Sequence, residues 1–376
     1  MLITRAGLIA GLVAGAVALT ACGSDSNPSS TSTGGAGNGA SSSSASGNGS
    51  CASGSLKAEG STAQKNAMDQ WITDYQKQCS GTTITYNATG SGAGVSNFIA
   101  KQDNFAGSDS ALDPKKDEPT KASTACGSSA LDLPMVVGPI AIAYKLNGLS
   151  TLTLTPTVLT KIFLGKITTW NDPAIRAINS GANLPSTKIT VFYRSDSSGT
   201  TQNFERYLAA NDPADFTSTP DKDSSKAGFA GQGKTGSQGV QQAIGSTEGS
   251  VGYVEWSFAV SGNLNSAKID NGAGAVELSA DSAGAAVAAA KPAPTGPGDL
   301  SLKLDYATKA AGAYPIILVT YEIVCSRYSD ANIGKQVRSF LNYTASSGQD
   351  QLKDLGYAPL PDTIKTQVQT AINGIS

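Results

Sequence analysis

The 376-residue chain contains no histidine. That absence removes Ser-His-Asp and Cys-His catalysis, histidine-ligated zinc and the usual general base of neutral pH. Charge is sparse as well. Asp, Glu, Lys and Arg make up 15% of the residues and the net charge is −2, so no basic field exists to attract nucleic acid. No Cys-x-x-Cys pair occurs and no dense carboxylate cluster suggests two-metal chemistry. Neither a metal nor a cofactor is expected. The N-terminal apolar stretch, residues 6–18, is too short and too rich in small residues to read as a membrane span.

What is present begins with a processing signal. Arg5 precedes the apolar stretch, and Leu19-Thr20-Ala21-Cys22 follows it. This resembles the bacterial lipoprotein box, with residues 1–21 as the signal peptide and lipid attached to Cys22. Residues 22–50 are almost wholly Gly, Ser, Ala, Asn and Thr, which bury too little apolar area to fold. They read as a flexible tether between a membrane anchor and an extracytoplasmic domain. Four cysteines then remain, Cys51, Cys79, Cys126 and Cys325, an even number in an oxidising compartment. Three pairings are possible. Cys51–Cys79 and Cys126–Cys325 are preferred, because the first pair flanks a strand–helix unit and the second flanks two apolar strands.

Beyond the tether, apolar runs alternate with segments of helical periodicity, which predicts an α/β architecture with mostly parallel sheets. Strands are expected at 56–60, 83–86, 105–107, 134–146, 189–192 and 315–324. Helices are expected at 62–78, capped by Ser61 or Thr62, and at 95–100, 158–163, 174–178, 202–210, 333–342 and 362–372. Residues 281–300 read as a surface helix followed by a loop.

Four turns after strands are small, hydroxylated and glycine-rich: Gly60-Ser61-Thr62, Gly90 to Gly94, Gly107-Ser108-Asp109, and Arg194 to Thr201. Ligands of open α/β sheets lie at the carboxyl ends of strands. Any one such turn is ordinary punctuation. Four together, one carrying Arg194 and Asp196, point to an oxyanion site built from a guanidinium, hydroxyls and a helix N-terminus. Asp196 would repel a fully ionised anion, so it either orients Arg194 or meets an anion that still carries a proton.

In this order, these motifs resemble the substrate-binding lipoprotein of the bacterial high-affinity phosphate ABC transporter. Ile162 to Pro173, Gly252-Tyr253-Val254-Glu255, Tyr314-Pro315-Ile316, and Leu355-Gly356-Tyr357 before Leu360-Pro361-Asp362 fit the same family. The resemblance implies a two-lobed periplasmic-binding-protein-like fold (type II) with mixed central sheets and a two-strand hinge near 138–142 and 317–320. Residues 51–140 plus 318–376 would form lobe I, and 141–317 lobe II. It implies inorganic phosphate as ligand, permease and ATPase subunits as partners, a lipid-anchored monomer, and no enzymatic turnover. Matched by position, Ser61, Thr62, Ala63, Ser91, Asp109, Arg194, Asp196, Ser198, Gly199 and Thr200 would hold the ligand. Ala63 stands where a bulkier residue commonly donates its backbone N–H. Ser237-Gln238 replaces the usual Asn-Asp, which puts the role of that loop in doubt.

Phosphate near neutral pH retains a proton and sulfate does not. A buried carboxylate accepting that proton therefore favours phosphate and repels sulfate. Asp109 is assigned this part, rather than that of a helix cap. The rivals are an exported phosphatase, a binder of another tetrahedral oxyanion, and a structural surface protein. Gly228 to Thr235 matches the Walker A letters, but the polar residues 220–227 before it cannot be the buried strand such a loop needs.

Overall fold

The computed structural model describes residues 51–376; the signal peptide, Cys22 and the tether lie outside the described residues. The architecture is two-lobed α/β, organised by one curled nine-stranded sheet. Its path runs Thr82–Asn87, Gly54–Gly60, Phe105–Ser108, Ile317–Cys325, Ala130–Lys145, Ser250–Glu255, Thr190–Arg194 and Gln232–Lys234, with Asn265–Ser266 also on the long strand.

The strand Ala130–Lys145 belongs to both halves. Residues up to Pro139 pair with Ile317–Cys325, and from Ile140 onward the partner is Ser250–Glu255. It is buried along almost its whole length, as a strand covered on both faces must be. These two long apolar runs cross side by side, with Gly138 opposite Leu318.

The expected parallel character holds only at the flanks. Gly54–Gly60 is parallel to both of its neighbours, as is Thr190–Arg194. The centre is antiparallel: Ile317–Cys325 runs against both Phe105–Ser108 and Ala130–Lys145, and Ala130–Lys145 against Ser250–Glu255. The expected strands and helices appear at or near their expected bounds. One cap does not: the helix Lys65–Gln78 starts at Gln64, and neither Ser61 nor Thr62 caps it. Their side chains turn toward the cleft instead. The segment after the surface helix Ala280–Ala288 is a short hairpin, Lys291–Pro292 against Leu302–Lys303, not a plain loop.

The structure contains the disulfides Cys51–Cys79 and Cys126–Cys325. The first ties the chain entering the domain to the end of the first helix. The second ties a helix end to the end of the strand Ile317–Cys325. Among the described residues no helix is long and apolar enough to cross a membrane.

Candidate functional site

The sheet brings the carboxyl ends of its parallel strands to one place. Gly60 leads into Ser61 and Thr62, Ser108 into Asp109, Arg194 into Asp196, and Lys234 into Ser237. The helix Ser91–Ile99 and the helix Gly199–Asn211 start at the same spot. All ten residues matched by position converge there. All are buried except Asp196, which is half-buried.

Asp109 is the hub of one wall. Ser61 and Thr320 donate hydroxyl protons to its Oδ1, the latter at 2.8 Å, and Ser91 Oγ donates to Oδ2 at 2.8 Å. It caps no helix. Burial raises its pKa, while Ser61, Thr320, Ser91 and Arg194 pull it back. Ala63 N donates to Ser61 Oγ at 3.0 Å, so the backbone donor at the departed position is turned onto its own loop.

Arg194 dominates the facing wall. Its Nε donates to Asp196 Oδ1 at 2.7 Å and its Nη2 donates to Oδ2. The fork is therefore closed on Asp196, and Nη1 is left to face Ser237 Oγ at 3.1 Å. Burial works against ionising Asp196, but Arg194 overrides it and lowers the pKa. Gly236 N, at the start of the next helix, also donates to Asp196 Oδ1 at 2.9 Å. Ser198 caps the helix Gly199–Asn211 by accepting from Thr201 N at 3.2 Å. Gly199 must be glycine: a Cβ there would lie 2.6 Å from Asp109 Cβ and 2.7 Å from Ser91 Oγ.

The walls meet. Thr62 Oγ1 and Ser237 Oγ lie 2.7 Å apart, Gly199 N donates to Ser91 Oγ at 3.3 Å, and Asn203 Nδ2 donates to the Asp109 carbonyl at 2.7 Å. Farther out, Lys116 pairs with Asp221 at 3.1 Å. The cleft is closed.

Four residues here were not read as site residues from sequence. Thr320 was placed only in the hinge. Ser237 lay in the loop of doubtful role. Glu255 ends a strand at the site, fully buried, and accepts the Thr200 hydroxyl proton at Oε1. Lys222 is a buried ammonium whose pKa burial lowers, with Glu118, Asp132 and Asp109 pulling it up and Lys116 pushing it down. Strand position was the available signal for Glu255. Lys222 had none, since it lies in a polar loop.

The Walker-like letters do not form a phosphate loop. The strand Gln232–Lys234 lies inside the motif rather than before it, and Lys234 Nζ sits over the Phe192 ring at 5.4 Å. A separate cavity of about 640 Å³ adjoins Asp109, lined by apolar Leu112, Ala209, Leu302 and Val319 together with Arg206 and Lys303.

Two curled half-sheets closing over a buried guanidinium and a ring of hydroxyls define a two-lobed receptor for a small anion. The chain belongs to the PBP superfamily, whose domain model matches residues 40–347. It is 44% identical to "Phosphate-binding protein PstS 3" of Mycobacterium leprae over the full length of both chains. It is 42% identical to "Phosphate-binding protein PstS 2" of Mycobacterium tuberculosis, over 97% of each. Among solved structures, the fold matches a phosphate-binding protein from Stenotrophomonas maltophilia at a TM-score of 0.66 and 22% identity, covering 85% of this chain and 94% of that one. It likewise matches the periplasmic phosphate-binding protein PfluDING at a TM-score of 0.66 and 24% identity, over 86% and 99%.

Proposed function

We propose that this protein captures inorganic phosphate between its lobes and delivers it to the permease and ATPase subunits of an ABC transporter. Lobe I is assigned residues 51–140 plus 318–376 and lobe II residues 141–317, with the paired crossing strands as hinge. The protein binds and releases its cargo unchanged and is not an enzyme. It works outside the cytoplasm as a monomer, held by lipid on Cys22 through the tether at 22–50.

The observation that carries this reading is Asp109, a buried carboxylate opposite Arg194 and ringed by Ser61, Ser91 and Thr320. Such a group accepts a hydrogen bond from an anion that keeps a proton and repels one that does not. When ligand enters, Ser61, Thr62 and Ser91 would redirect their hydroxyls to its oxygens. The N–H groups of Ala63, Gly199 and Thr200, the Ser198 hydroxyl and the Nη1 edge of Arg194 would supply the remaining donors. The names of the full-length relatives point the same way. Calorimetric titration with phosphate, arsenate and sulfate tests it. Phosphate and arsenate are expected to bind comparably and sulfate far more weakly; equal binding of all three, or of none, removes the reading.

A further inference from the structure

The site holds more acid than its one guanidinium neutralises. Asp196 closes on the Nε–Nη2 edge of Arg194, and both Asp109 and Glu255 also lie within its field. Asp196 is satisfied by Arg194 and Gly236 N, and Asp109 by three hydroxyls. Glu255 differs. Thr200 donates to its Oε1, but its buried Oε2 has no close donor of its own, only the nearby Ser237 hydroxyl, which Thr62 and Arg194 Nη1 already engage. A buried carboxylate oxygen so short of donors is disfavoured, whereas a carboxylic acid at the same place needs one acceptor.

We propose that Glu255 is a further specificity-determining residue of the anion site, held as the neutral acid when ligand is bound and setting the upper pH limit of binding. The proposal rests on the phosphate reading above. With Glu255 neutral, the pocket presents Asp109 and the Arg194–Asp196 pair to the incoming anion. With Glu255 ionised, a further negative charge stands beside Arg194 and competes with the anion for its field.

The groups facing Glu255 come from every side. Arg194 favours its ionised form, as do the hydroxyls of Ser237 and Thr200. Burial and Asp109 oppose ionisation, and burial prevails, so its pKa is raised. Tyr357, whose hydroxyl donates to the Ala63 carbonyl, stands near on the C-terminal segment and is itself held neutral by burial. Tyr253, on the same strand, is buried and neutral as well.

The test is the phosphate Kd of the full protein and of Glu255→Gln, measured by calorimetry from about pH 6 to about pH 9.5. Gln keeps the acceptor for Thr200 and cannot ionise. The second ionisation of phosphate affects both proteins alike and cancels in their ratio. The expected result is a Kd within about threefold of wild type at the acid end, and binding at least about tenfold tighter than wild type at the alkaline end. A ratio that stays flat with pH overturns the proposal and leaves Glu255 a packing residue. If the variant does not fold, proton uptake by wild type is counted in buffers of different ionisation enthalpy. Uptake on binding at the alkaline end beyond what the second ionisation of phosphate itself supplies supports the proposal, and none beyond it at any pH overturns it. A wild type that takes no phosphate at all removes the functional reading itself; a flat ratio in a binding-competent protein removes only the role of Glu255.

Discussion

Asp196 grips Arg194 along one edge, with Oδ1 at 2.7 Å from Nε and Oδ2 bonded to Nη2. The carboxylate thus spends the most directional part of the guanidinium on aim rather than on ligand. Asp196→Asn removes a negative charge from an anion site, yet the account predicts weaker binding, because the guanidinium loses its anchor. The expected loss is about 2 kcal/mol, roughly thirtyfold in phosphate Kd by calorimetry. Tighter binding would show that Asp196 acts only as a repulsive charge.

The Thr62–Ser237 hydroxyl pair is a direct bond between the closing walls at the site. Ser237→Ala removes it and leaves Arg194 Nη1 one acceptor short. A loss of about 1 kcal/mol is expected, appearing mainly as phosphate release about fivefold faster in stopped-flow measurements. An unchanged release rate would place closure elsewhere.

Asp132 is a buried carboxyl whose pKa burial and the neighbouring Asp299 push up to about 8. In the unfolded chain it ionises near pH 4. Between those values the native state holds a proton that the unfolded state has lost, so this group makes stability fall as pH rises from about 4 to about 8. Asp132→Asn keeps an acceptor for Leu112 N, which now bonds both carboxylate oxygens at 3.2 and 3.1 Å. The melting temperature of wild type is expected to drop relative to this variant as pH rises from about 5 to about 8. A constant gap across that window would contradict the shift.

Cys126–Cys325 closes a loop of 199 residues. Replacing both cysteines by serine is expected to cost about 4 kcal/mol in denaturant unfolding. Neither half-cystine lines the cleft, so phosphate Kd of the folded variant should stay within about twofold. A large loss of affinity would mean that this disulfide holds the lobes in register.

The turns of the site were legible because Gly, Ser and Asp directly after short apolar runs mark strand ends. Ser61, Ser91, Asp109 and Arg194 could therefore be placed on one rim of a sheet before the strand order was known. The antiparallel centre was not legible. Residues 130–145 and 317–325 are continuous apolar runs, and a run without alternation carries no sign of its partner or direction. Thr320 and Glu255 lie on strands of that kind, and only the strand order brings them to Asp109 and Thr200. Ser237 stood out as a departure from the family pattern. Its meaning needed the third dimension, where Arg194 Nη1 and Thr62 both reach it.

The central claim is that Asp109 discriminates by the ligand's proton, and the direct measurement is the ratio of phosphate to sulfate affinity in wild type and Asp109→Asn. Removing the charge while keeping the shape is expected to weaken phosphate, admit sulfate, and lower the ratio by on the order of a hundredfold. A ratio equal to that of wild type would contradict the account.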